Sequence, residues 1–498
     1  MGLQPEIMKR LVILSLLGLA ALSWGCGRSV AEYDTVVRID TDSLVSRDYI
    51  GNGVQWDPYA LDYGRGRVSI SDRDWEKLYA RLDFMRPAFI RVMINTGSVV
   101  REGRLDTGRG LDQLTHILDY CRSRGVTVMF GDWGGSLLDT RRRMIDTLML
   151  DRAADYLGFL VQDRGYDCIR YYNLVNEPNG YWSAADGDFD LWARAVRYLH
   201  GCFEARGLQQ VELVGPDAAI WGPEESWWVS RSREELGDCI GLYDIHTYPS
   251  KCTVNSGEYT RILQAYRREV PAARKIVMGE IGLKFVEPAD SLLQAENLRR
   301  ARAHPNASVL DSQMFVYDFS YGTDMADALL QTVQAGYSGC IAWMLDDAMH
   351  ANEAPDKLKI WGFWNIFGEE YFGAGEERVR PWYYAWSLLC RTMRPGSDFC
   401  AVDVQGAPGI RAMACLHGAD RSLAVVNVSD RPRSVRIEAS GWSRLKRAAL
   451  YRYGEGLMRT DGDHLLHPEA EGLRVNLAKG TLYELPAGSM LVLTELND

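Results

Sequence analysis

"YYNLVNEPNG", residues 171–180, is the stretch on which the reading of the whole chain turns. It opens as an apolar, aromatic strand and closes as a turn. At the junction stand Asn176 and Glu177, followed by Pro178. A carboxylate at the end of a buried strand carries a desolvation cost, so it needs a partner or a task. Pro178 stiffens the turn and restricts where Glu177 points.

The same texture recurs on both sides. Strands are read at "YIGNGVQW" from Tyr49, "FIRVMIN" from Phe89, "GVTVMFGDW" from Gly125 and "IRYYNLVNE" from Ile169. They continue at "VELVGPDA" from Val211, "LYDIHTY" from Leu242, "KIVMGEIG" from Lys275 and "GCIAWMLDD" from Gly339. Helix periodicity fills the gaps. "DRDWEKLYARLDFM" puts Trp75, Leu78, Leu82 and Met85 on one stripe, and "WARAVRYLHGCFEARG" ends on a capping glycine. Strand–helix alternation implies a parallel sheet, and eight units make a closed (β/α)8 TIM barrel. An open doubly wound sheet is the competitor, but no G-x-G-x-x-G follows the first strand. The gap from 282 to 339 holds a helix near 324–336 and an insertion at the barrel mouth. "PWYYAWSLLCRTM" is the closing helix.

From Asp398 onward the texture changes to short alternating runs such as "SLAVVNVSD" and "SMLVLTEL". This is antiparallel β texture and predicts a small C-terminal β-sandwich over 398–498. The barrel is assigned to 47–397. Residues 27–46 are a tether with a further candidate strand for the β-domain around 33–46.

The N-terminus has Lys9-Arg10, the apolar run "LVILSLLGLAALSW" and then Gly25-Cys26. Basic flank, short apolar stretch and small residue describe an export signal over 1–26. Gly25-Cys26 resembles the end of a bacterial lipobox, which would make Cys26 the lipidated residue; the alternative is a plain signal peptide cut near here. Export to the periplasm or cell surface follows, with contact to the membrane only through that lipid. Of the 10 cysteines, Cys340 and Cys390 read as buried thiols, and Cys239 and Cys252, flanking one strand, are the expected disulfide. The net charge of −11, from 56 basic and 67 acidic side chains, argues against a nucleic-acid partner.

Catalytic groups in such a barrel sit at the C-terminal ends of the strands. Strand two carries Arg91, strand three ends on Asp132 and Trp133, and strand four on Asn176 and Glu177. Strand six carries His246 and Tyr248, strand seven Glu280, and strand eight Trp343. Strands four and seven face each other across the mouth. Two opposed carboxylates are what glycosidic bond cleavage needs.

Over residues 45–395 this pattern resembles glycoside hydrolase clan A, the retaining (β/α)8 β-glycosidases that include cellulase-like family 5. The resemblance rests on "NEP" after strand four, "MGEIG" on strand seven, and Arg, His-x-Tyr and Trp in clan order. It implies Glu177 as acid/base, Glu280 as nucleophile and Asn176 as a contact to the sugar 2-hydroxyl. Arg91, His246, Tyr248 and Trp343 match the clan's remaining site positions. Family 5 members often carry His near the end of strand three, where this chain has Asp132-Trp133. The residues themselves support parallel roles. Arg91 can neutralise and orient Glu280, Tyr248 can donate to it or to the region of the ring oxygen, and His246 can tune the acid/base.

Asp132 is read as a sugar contact. Trp133, Tyr181, Trp182, Trp221, Trp227 and Trp228 follow strand ends and present faces on which pyranose rings stack. The substrate is then a β-linked poly- or oligosaccharide. No cofactor and no metal are implied, since no His-x-His or His-Glu-x-x-His is present. Two rivals remain. One is a non-catalytic surface glycan-binding protein on the same barrel. The other is a metal-dependent barrel hydrolase using Asp132, His246 and Asp346.

Overall fold

The computed structural model describes residues 33–59, 70–286, 288–352, 354–442, 444–461 and 465–496. The apolar leader and Cys26 lie outside them. The eight barrel strands are, in chain order, Gly51–Gln55, Phe89–Ile94, Thr127–Asp132, Ile169–Asn173, Glu212–Ile220, Ile240–Thr247, Ile276–Ile281 and Gly339–Ala342. They are parallel and close into one ring, strand eight pairing with strand one. The lower end of the ring is plugged by Ile50, Phe89, Met129, Val214, Leu242, Val277 and Ile341, with Tyr171 packed against them. These side chains come from, or directly precede, all eight strands, so the bottom is packed core and the polar residues are left to the top.

The helices form where the sequence places caps. Asp72–Met85 starts at Ser71, whose side chain accepts from the Asp74 N–H while Asp74 reaches back, a reciprocal capping box. Its buried stripe includes Trp75, Leu78, Leu82 and Met85. Phe189–Arg206 starts on an Asp188 cap and stops at Gly207, whose φ of 67° suits glycine. Pro381–Thr392 carries its proline in the first turn, where no backbone donor is lost. Phe319–Gln334 begins five residues before the periodicity suggested. Nearly all of its residues from Tyr321 to Val333 are buried, because it lies between the barrel and the β-domain. There Thr323 donates to the Gly488 carbonyl (3.0 Å) and Gln334 to the Cys400 carbonyl (3.1 Å).

The β-domain is a nine-stranded sheet folded on itself. Eight of its strands lie between Asp398 and Thr494, and the ninth is Thr35–Ser46. That strand runs antiparallel to Asp398–Gly406 and parallel to Arg433–Ala439. Alternate residues such as Val37, Ile39, Val425, Ile437, Leu491 and Leu493 meet inside it, which is the period-two pattern of a sandwich.

Two expectations are corrected. Strand four stops at Asn173, four residues short of Glu177. The Asn173 side chain accepts the Val175 N–H at 3.2 Å, a local bond that bends the chain out of the ladder. Cys239 and Cys252 are both free thiols, as are all nine cysteines among the described residues. The pair flanks an eight-residue strand. Such a strand is about 26 Å long, whereas bridged Cα atoms lie within about 7 Å.

Candidate active site

Two β-bulges aim the site. On strand seven, Met278 pairs with Ile245 and Glu280 with His246, so Gly279 is the extra residue. Side chains alternate along a strand, and one extra residue reverses the alternation. Val277 faces the barrel interior below the bulge, and Glu280 faces it above. A Cβ on Gly279 would sit 2.0 Å from Asp244 Oδ2, so only glycine fits. Its N–H donates to Asp244 Oδ1 at 2.6 Å. On strand five the register skips from Pro216 to Ala218, leaving Asp217 as the bulged residue. Asp217 and Glu177 both have left-handed backbone, with φ of 57° and 48°. That conformation costs a non-glycine residue about 1–3 kcal/mol. It is held in place by the Glu177 N–H donating to Asp217 Oδ2 (3.2 Å) and by paired bonds between Asn179 and Ala219.

Arg91 is fully buried at the centre. Its Nη1 donates to Glu280 Oε2 (2.9 Å) and Gln55 Oε1 (3.2 Å). Its Nη2 donates to Asn176 Oδ1 (2.8 Å) and Asp217 Oδ2 (3.2 Å). The other Glu280 oxygen accepts from Tyr248 Oη at 2.5 Å. Glu280 therefore has both oxygens engaged. Burial pushes its carboxyl above the usual carboxylate range, helped by Glu177, while His246, Arg91 and Tyr248 pull it back. Glu177 has different neighbours. Its Oε2 accepts the Trp182 indole N–H (2.6 Å), and its Oε1 faces His246 Nδ1 at 3.2 Å. Oxygens of Glu177 and Glu280 approach within 4.8 Å.

His246 Nε2 lies 2.9 Å from Asp217 Oδ1 and 3.7 Å from Asp244 Oδ2. Burial works against charge on all three groups. For Asp217 the attraction of His246 and Arg91 outweighs burial and holds the carboxyl well below its usual value. For Asp244 burial wins and lifts it to about 7. For His246 burial is opposed chiefly by Asp217, and the imidazole ends well above the ordinary histidine value. The depressed Asp217 contributes stability above the unfolded carboxylate value of about 4, lost as pH falls. The raised His246 contributes it below about 6.5, lost as pH rises through the folded value. The melting-temperature gap between wild type and Asp217→Asn is therefore expected to be widest from about pH 4 to 6.5. A gap that does not change across thermal scans from pH 3 to 9 would contradict this pairing.

A cavity of about 680 Å³ opens above these groups. Trp133, Asn176, Glu177, Trp182, Trp221, Tyr248, Glu280 and Trp343 line it, whereas Arg91 and His246 lie in its floor beneath the carboxylates. Asn176 lines the cavity, spends its carbonyl on Arg91 and has no partner for its amide nitrogen among the described residues. Tyr181, Trp182 and Trp221 form an edge-to-face row, 84%, 47% and 53% exposed, on the Glu177 side. Trp343 is buried and stacks on His350 at 5.2 Å.

Three sequence expectations fare differently. Asp132 is not on the cavity wall. Both its oxygens accept backbone N–H groups, of Thr96 and Gly134, each at 2.5 Å, so it clasps the loops after strands two and three. Trp227 and Trp228 pack on Phe189 away from the cavity. Asp132, His246 and Asp346 do not converge as a metal set, because Asp346 is taken by the Ala348 and Ile366 N–H groups and the Trp364 indole. Among the described residues the groups close enough for a cation are Glu177–His246–Glu280 and Asp217–Asp244–His246. In each, the Arg91 guanidinium already supplies positive charge to a carboxylate. Lys284, Asp311, His350 and Lys359 also line the cavity, and the sequence alone did not single them out.

No family model and no curated protein sequence matches this chain. Solved structures do share its fold. The chain is similar to a family 30 glycoside hydrolase endoxylanase from Clostridium papyrosolvens, with TM-score 0.60 and 13% identity over 92% of this chain and 99% of that one. A family 39 β-xylosidase from Caulobacter crescentus gives TM-score 0.56 and 14% identity, again over 92% and 99%. An α-L-arabinofuranosidase from Thermotoga maritima gives 0.59 and 14% over the same shares. The fold implied by the clan A resemblance is thus the fold observed: a TIM barrel with a C-terminal β-sandwich, shared with solved glycoside hydrolases.

Proposed function

We propose that this chain is a retaining β-glycosidase that hydrolyses β-linked poly- or oligosaccharides, with Glu280 as nucleophile and Glu177 as acid/base. The observation that carries the reading is the pair of carboxylates, with oxygens within 4.8 Å, held by opposite sets of partners. Carboxyl groups about 5–5.5 Å apart suit double displacement, whereas about 6.5–9.5 Å leaves room for the water of an inverting enzyme. Glu280 is fixed by Arg91 and Tyr248, as a group that must arrive aligned at the anomeric carbon. Glu177 sits beside the exposed aromatic row, where a leaving sugar would stack.

In the first step Glu280 attacks the anomeric carbon. The glycosidic bond breaks, and the proton of Glu177 goes to the departing oxygen. In the second, the Glu177 carboxylate takes a proton from water, whose oxygen displaces Glu280. Two inversions give net retention. The glycan-binding rival is not favoured, since a binding wall has no need of two buried, differently partnered carboxylates. A panel of β-linked glycans incubated with the protein discriminates them. Released reducing ends support the enzyme, and binding without release supports the rival.

The chain is further read as an exported, lipid-anchored protein. One solved structure of the same fold, 13% identical over 92% of this chain and all of that one at TM-score 0.60, is a conserved exported protein from Bacteroides fragilis. No helix among the described residues is long and apolar enough to cross a membrane. Attachment would then rest on Cys26. Cys26→Ser is expected to move the protein from the membrane to the soluble fraction of a bacterial host, and unchanged fractionation would remove the lipid from the account.

A further inference from the structure

Among the described residues the charges that line the cavity are paired off, with one exception. Glu280 is neutralised by Arg91. Asp311 is held by Lys359 Nζ at 3.0 Å and by the Trp361 indole at 3.0 Å. Lys284 also lines the cavity, is exposed, and forms no ion pair among the described residues.

Its position is nevertheless fixed. The Lys284 N–H donates to the Pro249 carbonyl at 3.3 Å. The neighbouring Leu283 carbonyl accepts from Gln313 Nε2 at 2.6 Å, and the Leu283 N–H donates to Tyr321 Oη at 3.4 Å. The ammonium rests 4.5 Å from the Tyr248 ring centroid and 5.7 Å from that of Trp361. Aromatic faces hold a cation by their quadrupole while leaving its outer side open to a ligand. Tyr248 is the residue whose hydroxyl bonds Glu280, so the ammonium stands one phenol ring from the nucleophile. Tyr181, Trp182 and Trp221 instead border Glu177, whose carboxylate accepts the Trp182 indole N–H.

From this geometry, and resting on the glycosidase reading above, we infer that the enzyme takes an anionic glycan, whose carboxylate or sulfate lies on the glycone side and pairs with Lys284. The nucleophile bonds the glycone sugar and the acid serves the leaving group, so a cation beside the nucleophile reads the glycone. A net charge of −11 would otherwise repel such a substrate. A local unpaired cation gives a reason for it to enter there and nowhere else.

The test uses glycans in matched pairs: a uronate-containing backbone against its carboxyl-reduced form, and a sulfated backbone against its desulfated form. For wild type, kcat/KM on one anionic member is expected to exceed that on its neutral partner by roughly tenfold or more, the worth of a charge-assisted hydrogen bond. Which pair shows the preference tells carboxylate from sulfate. Lys284→Met is expected to cut that ratio about tenfold, and Lys284→Arg to keep most of it. Equal use of charged and neutral members in both pairs, or a Lys284→Met loss that falls equally on both, overturns the inference. Calorimetric binding of the same pairs to Glu280→Gln separates the two claims. Anionic preference in binding with no wild-type cleavage keeps the Lys284 assignment and removes the glycosidase reading. Cleavage with no anionic preference does the reverse.

Discussion

Glu280→Ala is expected to lose turnover on every glycoside, whereas Glu177→Ala loses it selectively. The difference follows from what each carboxylate does. Without Glu280 no covalent intermediate forms, however good the leaving group. Without Glu177 the first step lacks only a proton. An aryl glycoside whose phenol departs unaided should keep much of its first-step rate. A sugar–sugar linkage should slow by about 10²–10⁴, the usual worth of general acid catalysis. Azide sharpens the contrast. In Glu177→Ala it can enter the space beside Trp182 and attack the glycosyl intermediate, giving a β-azide. In Glu280→Ala it can attack the substrate from the vacated side and give the α-azide. Equal loss on both substrates for Glu177→Ala, or adduct anomers the other way round, would reverse the assigned roles. Glu280 is bound by a guanidinium and a phenol, as a resting carboxylate is. Glu177 faces a buried imidazole below and the half-exposed Trp182 indole on the open side.

Arg91→Met is expected to produce the largest loss of stability. The guanidinium has no exposed surface and bonds four side chains from four strands or strand ends. Methionine fills much of the volume but takes the guanidinium from buried Glu280 and leaves Asp217 with His246 as its one remaining cation among the described residues. Removing one partner of a buried pair costs about 3–5 kcal/mol, mostly as the penalty on the charge left behind. Arg91→Lys should recover little, since one ammonium cannot span the fork that reaches Glu280, Asn176 and Asp217 together. Asp217→Asn added to Arg91→Met should regain part of the loss, because a buried carboxylate that has lost one of its two cations is gone. Urea unfolding midpoints of the single and double variants read this directly. A double variant no more stable than Arg91→Met would mean that Asp217 does not depend on Arg91. Activity should respond as well: with its guanidinium gone, Glu280 rises further above the usual carboxylate range, and any residual turnover should need a higher pH.

The barrel was legible because its information is local. Each strand is a short apolar run, and at some helices Ser71 with Asp74 or Asp188 with Gly207 announces an end without help from elsewhere. His246 and Tyr248 were legible for a similar reason: they are two apart at the end of one strand, Tyr248 just past its last residue, and so point to its inner face. The bulge at Gly279 was not read as such, yet "MGE" carries it, since a glycine before the inward carboxylate is what releases the alternation. What the sequence concealed depends on other strands. Asp217 follows a proline within a strand and looks like a turn or a helix cap. Its meaning comes from Arg91, His246 and the Glu177 N–H, which are 126, 29 and 40 positions away. Asp132 misled for the opposite reason: it stands at a strand end like a sugar ligand, and only the folded loops show both its oxygens spent on backbone. Lys284, His350 and Lys359 belong to loops, whose direction no periodicity specifies.

Retention is the central claim, and the anomer of the first product tests it most directly. On the β-glycan that the wild-type protein cleaves, proton NMR can follow the new reducing end before mutarotation scrambles it. Two successive displacements at Glu280 predict that the β-anomer appears first and the α-anomer grows in later. An α-anomer appearing first would mean a single displacement by water, and the roles given to Glu177 and Glu280 would not stand.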